Sequence, residues 1–306
     1  MSATTRWKDN ETTNIDRAIQ LLVDSVENDD RESKTRRENW EIKKVFDENK
    51  KITLFGNKIE YNMIRFSYNR ITTYNDEVND IPQNGFVIVY LNNQTINYII
   101  DKNSDAKSVL RILLSYTGKN EIDDNKLHFE NDFFFWLINR VYYANNTIEI
   151  AEENNFELQS IKGFSGDTED SQTKVSASGE SVMNIISTLS FFLESRKLKQ
   201  IKLDLSYKTH EKIGLVLKDG TLEEDFKSYL GSYENDQTDE QIAKMYLMAY
   251  VEIVPILIQE YTTDIENELW NKQRYIAFMN DVADTLKEKI EKKTQAINTG
   301  LPEKTD

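Results

Sequence analysis

The stretch Phe86-Val87-Ile88-Val89-Tyr90-Leu91, Asn92-Asn93-Gln94, Thr95-Ile96-Asn97-Tyr98-Ile99-Ile100 decides the fold class. Two runs rich in β-branched and aromatic residues flank a short polar turn, which is the pattern of an antiparallel hairpin. Upstream, Ile42 to Phe46, Ile52 to Phe55 and Ile59 to Phe66 read as further short strands, with Gly56-Asn57 as a turn. Before them, residues 13–28 carry Ile15, Ile19, Leu22, Val23 and Val26 on one stripe behind the capping candidates Thr13 and Asn14, so a helix is expected. The basic stretch Arg31 to Glu38 reads as a continuation of that helix past Asp29-Asp30.

Downstream of the hairpin, Ser104 or Asp105 caps a helix bearing Val109, Leu110, Leu113 and Leu114, stopped at Gly118. The segment from Phe129 to Tyr143 is apolar nearly all round, which means a buried helix. Strands are expected at Thr147 to Ile150, Phe156 to Lys162, Gln200 to Ser206 and Lys212 to Leu217, with an acidic loop over Gly163 to Thr173. Val182, Ile185, Ile186, Leu189, Phe192 and Leu193 predict another helix at 181–195. Thr238 opens a helix to about Tyr261, bent at Pro255, and a second helix is expected from Thr263 to about Asn298.

Within that last segment Ile265, Leu269, Lys272, Ile276, Met279, Ala283, Leu286 and Ile290 repeat at steps of four and three, the spacing of a coiled-coil seam. The plainer reading is an antiparallel hairpin inside the chain, and the other is a seam shared between chains. The expected class is therefore α+β, with mixed or antiparallel sheets, packed helices and a long C-terminal helical hairpin. Three regions are expected: 1–144, 145–235 and 236–306.

Composition narrows the chemistry. The chain has 306 residues with no cysteine, which excludes disulfides, thiolate zinc sites and cysteine nucleophiles. Only His128 and His210 offer an imidazole. His210 falls in an expected hairpin turn and reads as exposed, and His128 reads as a helix-start residue. No export signal is legible in Met1 to Asn10, and the most apolar run, Met245 to Ile258, is short and carries Glu252 and Pro255. A cytoplasmic protein without membrane contact is the expectation. The abundance of Asn, Lys, Ile and Tyr fits AT-rich coding and a low-GC bacterium or its mobile elements.

The net charge is −15, yet residues 31–70 hold eleven Lys/Arg against six Asp/Glu, a balance of +5 that leaves −20 for the rest. Residues 219–240 hold eight acids and one base, Lys227. Within the basic segment, Trp40, Phe46, Phe55, Tyr61, Phe66 and Tyr68 interleave with the cations, as a nucleic-acid surface requires: charge for phosphates and flat faces for bases. Arg36, Arg37, Lys43, Lys44 and Arg65 are the candidate contacts. The plainer account of the same pattern is a two-faced sheet with aromatics inside and cations outside.

Other motifs are weaker. A Mg²⁺-dependent nuclease needs carboxylates and a lysine converging on one strand pair. Glu149, Glu157 and Lys162 come nearest, but five residues along a strand separates Glu157 from Lys162 by face. Glu41-Ile42-Lys43 has suitable spacing without a partner acid. The loop Gly163 to Asp170 lacks the endings of a phosphate loop or an EF-hand, although Asp167, Glu169 and Asp170 could hold a divalent ion weakly. Ser178 or Ser181, with Glu180, suits a helix cap.

The expected function is that of a non-enzymatic protein acting in a larger assembly, without a cofactor and with a protein partner or self-association, in a mobile-element or phage-defence setting. Nucleic-acid contact through residues 31–70 is part of that expectation. Its seam residues are Ile265, Leu269, Ile276, Met279, Leu286 and Ile290. The alternative class is the Mg²⁺-dependent nuclease.

Overall fold

The hairpin that sets the class is built on a two-residue turn. In the computed structural model, which describes residues 3–24, 35–74, 77–118, 120–150, 154–168, 174–178 and 195–300, Asn92 pairs with Thr95. Asn93 and Gln94 take φ values of 47° and 62°. Left-handed geometry at both central positions matches the right-handed twist of the flanking strands, and Asn tolerates it best after glycine. The chain forms two units: Met1–His128, Gly220–Glu224 and Ser232–Pro255 in the first, Phe129–Asp219, Asp225–Gly231 and Ile256–Asp306 in the second.

In the first unit the strands are β1 (Thr5–Asp9), β2 (Thr35–Lys44), β3 (Lys50–Leu54), β4 (Asn57–Tyr74), β5 (Glu77–Asn92), β6 (Thr95–Ile100) and β7 (Ile122–Asp124). They form one antiparallel sheet in the order β2-β4-β5-β6-β1-β7, with β3 beside β4. Helices α1 (Ile15–Val23) and α2 (Ala106–Leu113) cover one face. Asn14 caps α1 by accepting the Arg17 N–H at 2.9 Å. Ile64, Phe66, Tyr68, Val87 and Val89 belong to that core, while the alternate residues Tyr61, Met63, Ile88 and Tyr90 are equally buried on the other face. Burial on both faces is why Phe86 to Leu91 of β5 reads as a continuous apolar run, whereas β4 alternates with polar residues and changes phase at Met63-Ile64.

Two expectations change here. The stretch ending at Glu38 does not continue α1: from Thr35 it is strand, pairing Arg37 with Arg70, and residues 31–34 lie outside the described residues. Asn39 at φ 56° forms a bulge, after which Trp40 and Ile42 turn to the core as Arg37 does. Strands β4 and β5 run far past the apolar pieces, with Tyr74 still opposite Glu77. Gly85 lies at the close approach in this sheet, since a Cβ there would stand 2.4 Å from Asp101 Oδ1 and 2.6 Å from Phe66 Cζ.

Within the first unit, strand β13 (Thr221–Glu224) is tied to the N-terminal segment by reciprocal Thr4–Leu222 backbone bonds of 2.9 and 3.1 Å. Helix α4 (Thr238–Met248) lays Tyr246 against Phe86, ring centroids 5.8 Å apart. A π-turn over Ala249–Ile253 then leads into α5 (Val254–Glu266), so the helical run continues past Pro255. Val254 donates to Ala249 O, five residues back, so the widened turn absorbs the proline's missing donor and bulky ring. The run Thr238–Glu266 is long and apolar enough to cross a bilayer by length and composition, and 67% of its apolar window is buried inside the protein.

The second unit holds α3 (Asn131–Tyr142) and the antiparallel strands β8 (Thr147–Ile150), β9 (Asn154–Thr168), β10 (Lys174–Ser178), β11 (Ser195–Tyr207), β12 (His210–Lys218) and β14 (Leu230–Gly231). The loop expected from Gly163 is strand as far as Thr168, because Phe164 is a core residue and Gly166 lets Lys197 O come within 2.4 Å of where a Cβ would be. The helix read at 181–195 lies outside the described residues, save that Ser195 opens β11. His210 is not exposed: it is 4% accessible, with Nδ1 2.6 Å from the Tyr229 hydroxyl.

The C-terminal segment is also divided differently. The helix expected from Thr263 is broken at 267–271, where Glu268 takes φ 58°, and α6 (Lys272–Gly300) begins anew. Asn271 Oδ1 accepts the N–H groups of Gln273 and Arg274, both at 3.0 Å, which makes it the cap of α6.

Burial has a measurable consequence in the first unit. It holds the Glu224 carboxyl well above the ordinary range, and neither oxygen has a hydrogen-bond partner among the described residues. It also pushes Asp101 up to about 6, although Asp101 Oδ1 accepts the Phe86 N–H at 2.8 Å. Both groups hold their protons more tightly folded than unfolded, so their contribution to stability is complete below about pH 4 and declines as pH rises through the folded values. Thermal melting should therefore weaken from pH 5 to pH 8, and Glu224→Gln should flatten that slope by up to about 1.4 kcal/mol per pH unit. An unchanged slope in the variant would contradict this account of Glu224.

Candidate functional site

Two regions compete for the functional site, and each must be built from its side chains. The first is the basic segment, folded as β2, β3 and β4. Arg36 is exposed and pairs with Glu38 at 3.6 Å. Arg37, one residue on, points the other way: it is 8% accessible, donates to Ser108 Oγ at 3.2 Å and lies 3.6 Å from Asp105. Its guanidinium also stands over the Tyr68 ring at 5.9 Å. Lys44 donates to Asp47 O at 2.7 Å. Lys43 and Arg65 are register partners, so they share a face.

On that face Arg65 forms an ion pair with Asp239 and stacks over Phe86, while Lys50 reaches Glu240 at 3.4 Å. The acids come from the first turn of α4, within the acid-rich stretch. The aromatics are largely interior: Phe46, Tyr61, Phe66 and Tyr68 are buried, and Trp40 stacks on Tyr68 at 4.4 Å, leaving Phe55 as the exposed ring. Of the five candidate contacts, Lys43 is the one that is exposed and lacks an ion pair among the described residues. It borders a groove of about 450 Å³ with Val45, Arg65 and Thr238.

The second region is the corner where α5 and α6 meet α3. Six consecutive residues of α3, Phe133 to Ile138, are each at most 2% accessible. The one cation in that helix, Arg140, is buried and fully engaged: Nη1 donates to Glu260 and Asp264 at 3.0 Å each, Nε to Asn145 O at 2.8 Å, and Nη2 to Thr147 O at 2.7 Å. Trp136 Nε1 donates to the same Asp264 oxygen at 2.8 Å. Tyr261 and Trp270 both donate to Asp132 Oδ2, at 2.8 and 2.7 Å. These bonds fix the corner, beside which a cleft of about 390 Å³ opens between Trp136, Leu269, Trp270 and Arg274.

Helix α6 packs on α3 through Tyr275 against Phe135 at 5.2 Å and Phe278 against Tyr142 at 5.5 Å, with Val282 fully buried beside them. Tyr142 shares a hydrogen bond of 2.7 Å with Thr285, and Tyr143 bonds Asp281. The inner face is therefore Tyr275, Phe278, Val282 and Thr285, displaced from the spacing read in the sequence. The expected seam does not close an internal hairpin. Ile265, Leu269, Ile276 and Ile290 are exposed, Met279 and Leu286 are half-buried at the margin, and Ile297 continues the line at 52% accessibility.

For nuclease chemistry, Glu149 and Glu157 are exposed on paired strands, Glu157 accepting from Asn146, and Lys162 is 3.5 Å from Asp204. Among the described residues no three acidic or imidazole side chains gather as metal ligands. Asp167 ends within β9, while Glu169, Asp170, Glu180 and Ser181 lie outside the described residues. His128 is exposed ahead of α3. No protein-family model matches the chain, and no curated protein matches it either.

The spacing of the sequence does not show the Arg140 network, though a lone arginine in a helix apolar all round implies a buried acid partner. The placement of the cations yields a direct check. Arg37→Glu sets a second acid against Asp105 in a buried position and should cost about 3–5 kcal/mol in denaturant unfolding. Lys43→Glu should stay within about 0.5 kcal/mol of the parent. Lys43→Glu is thus the clean probe of nucleic-acid contact: unchanged binding to single-stranded DNA at low salt would remove this segment as a contact surface.

Proposed function

We propose that this is a non-enzymatic interaction protein of a larger assembly, which presents the outer face of α6 to a protein. The observation that carries the reading is the line of isoleucines on that helix. Ile276, Ile290 and Ile297 are 48%, 49% and 52% accessible although the inner face of the same helix is complete. Single exposed aliphatics are ordinary on any surface. Three isoleucines at seven-residue multiples along one face are a stripe, and burying such a stripe against another helix is strongly favourable.

A cytoplasmic component of a mobile element or phage-defence system is the proposed setting. Nucleic-acid contact is a secondary proposal that rests on Lys43 and its groove. The test uses the full chain with Ile276→Glu and Ile290→Glu together. Both sites are surface positions, so the variant should keep its circular dichroism and lose no more than about 1 kcal/mol. Proteins retained from native extract by the parent chain, including the chain itself, should be lost by the variant. Retention of the same set would contradict the proposal.

A further inference from the structure

We propose that the occupant of the α6 face is a second copy of this chain, paired antiparallel about a twofold axis between Ala283 and Leu286; this deepens the interaction reading and rests on it. The seam positions along α6 are Lys272, Ile276, Met279, Ala283, Leu286, Ile290, Lys293 and Ile297, and none of them belongs to the inner face of Phe278 and Val282. A parallel pair sets each residue against its own counterpart. It would stack Lys272 on Lys272 and Lys293 on Lys293 inside the seam, and it would leave a gap where Ala283 meets Ala283.

The antiparallel arrangement removes these conflicts in a single register. Ala283 meets Leu286 of the other copy, small against large. Met279 meets Ile290, Ile276 meets Lys293, and Lys272 meets Ile297, so each lysine stem lies along an isoleucine while its ammonium reaches water. On the flank away from α3, Lys287 of one copy comes within a turn of Asp284 of the other, an exchange of opposite charge repeated by the symmetry. Every pair occurs twice, as an isologous twofold interface requires. A helix of 29 residues is about 44 Å long, enough for this seam to run through more than three heptads.

The absence of cysteine makes the register directly readable. Met279→Cys and Ile290→Cys are prepared as separate full-length proteins, each checked for unchanged circular dichroism, and mildly oxidised alone and mixed. Under the antiparallel register a disulfide-linked dimer forms in the mixture and scarcely in either protein alone. Self-linking of each single variant would mean a parallel seam and overturn the proposal. No linking in the mixture would overturn it as well. Light scattering on the parent supplies the second measurement: the mass should be twice 35.9 kDa and return to 35.9 kDa in Ile276→Glu. A monomeric parent whose extract partners are still lost in the Ile276→Glu, Ile290→Glu variant would overturn the second copy and leave the interaction reading standing, with a foreign helix in the seam.

Discussion

Helix α3 has apolar side chains all round, and everything in its unit follows from the need to cover them. Phe133 to Ile138 occupy more than a full turn and a half, so one packing partner is not enough. Strands β9 and β11 cover one side, and α5 and α6 cover the rest. Arg140 adds a second demand, because a buried guanidinium without carboxylates is costly. Glu260 and Asp264 at the end of α5 meet it, which fixes where α5 stops and where α6 can start. Since both helices are committed to α3, neither is available to close a seam with the other. The isoleucine line of α6 is left outward by that commitment.

The first unit is organised by a different force. Its sheet carries most of the chain's positive segment, and the acidic start of α4 lies against it through Arg65–Asp239 and Lys50–Glu240. Each such pair is partly exposed and worth about 1 kcal/mol or less. Their significance is one of sign and not of strength: the two segments that depart most from the average charge meet each other. Arg37 is engaged still more deeply, with Asp105 and Ser108. A basic stretch in an acidic protein is explained to that extent by contacts within the fold, and of the five candidate contacts Lys43 is the exposed one without an ion pair among the described residues.

Elements governed by local chemistry were legible before the fold was known. Strand β8 has the bounds read from the sequence, the Asn93-Gln94 turn joins the expected strands, and the all-round apolarity of α3 announced its burial. The errors came where tertiary context overrides local pattern. Thr35 to Glu38 is polar enough for a helix yet pairs with β4. Pro255 gives no sign in the sequence of the π-turn that precedes it. The partner of the seam is hidden in the sequence for a geometric reason. On α6 the inner residues Phe278, Val282 and Thr285 repeat at steps of four and three as the seam does, so spacing alone cannot say which of two adjacent stripes faces the body. The signal that was available is Asn271, a cap that marks the true start of the helix.

The account turns on whether the outward stripe of α6 is covered in solution by another copy of the chain. Amide hydrogen exchange over Lys287 to Ile297 reads this directly, because those residues are mostly exposed in the single chain and their helix is free to fray. At protein concentrations about a hundredfold apart, mass action should raise protection across that stretch while leaving β4 and β5 unchanged. Protection that is the same at both concentrations would contradict the claim.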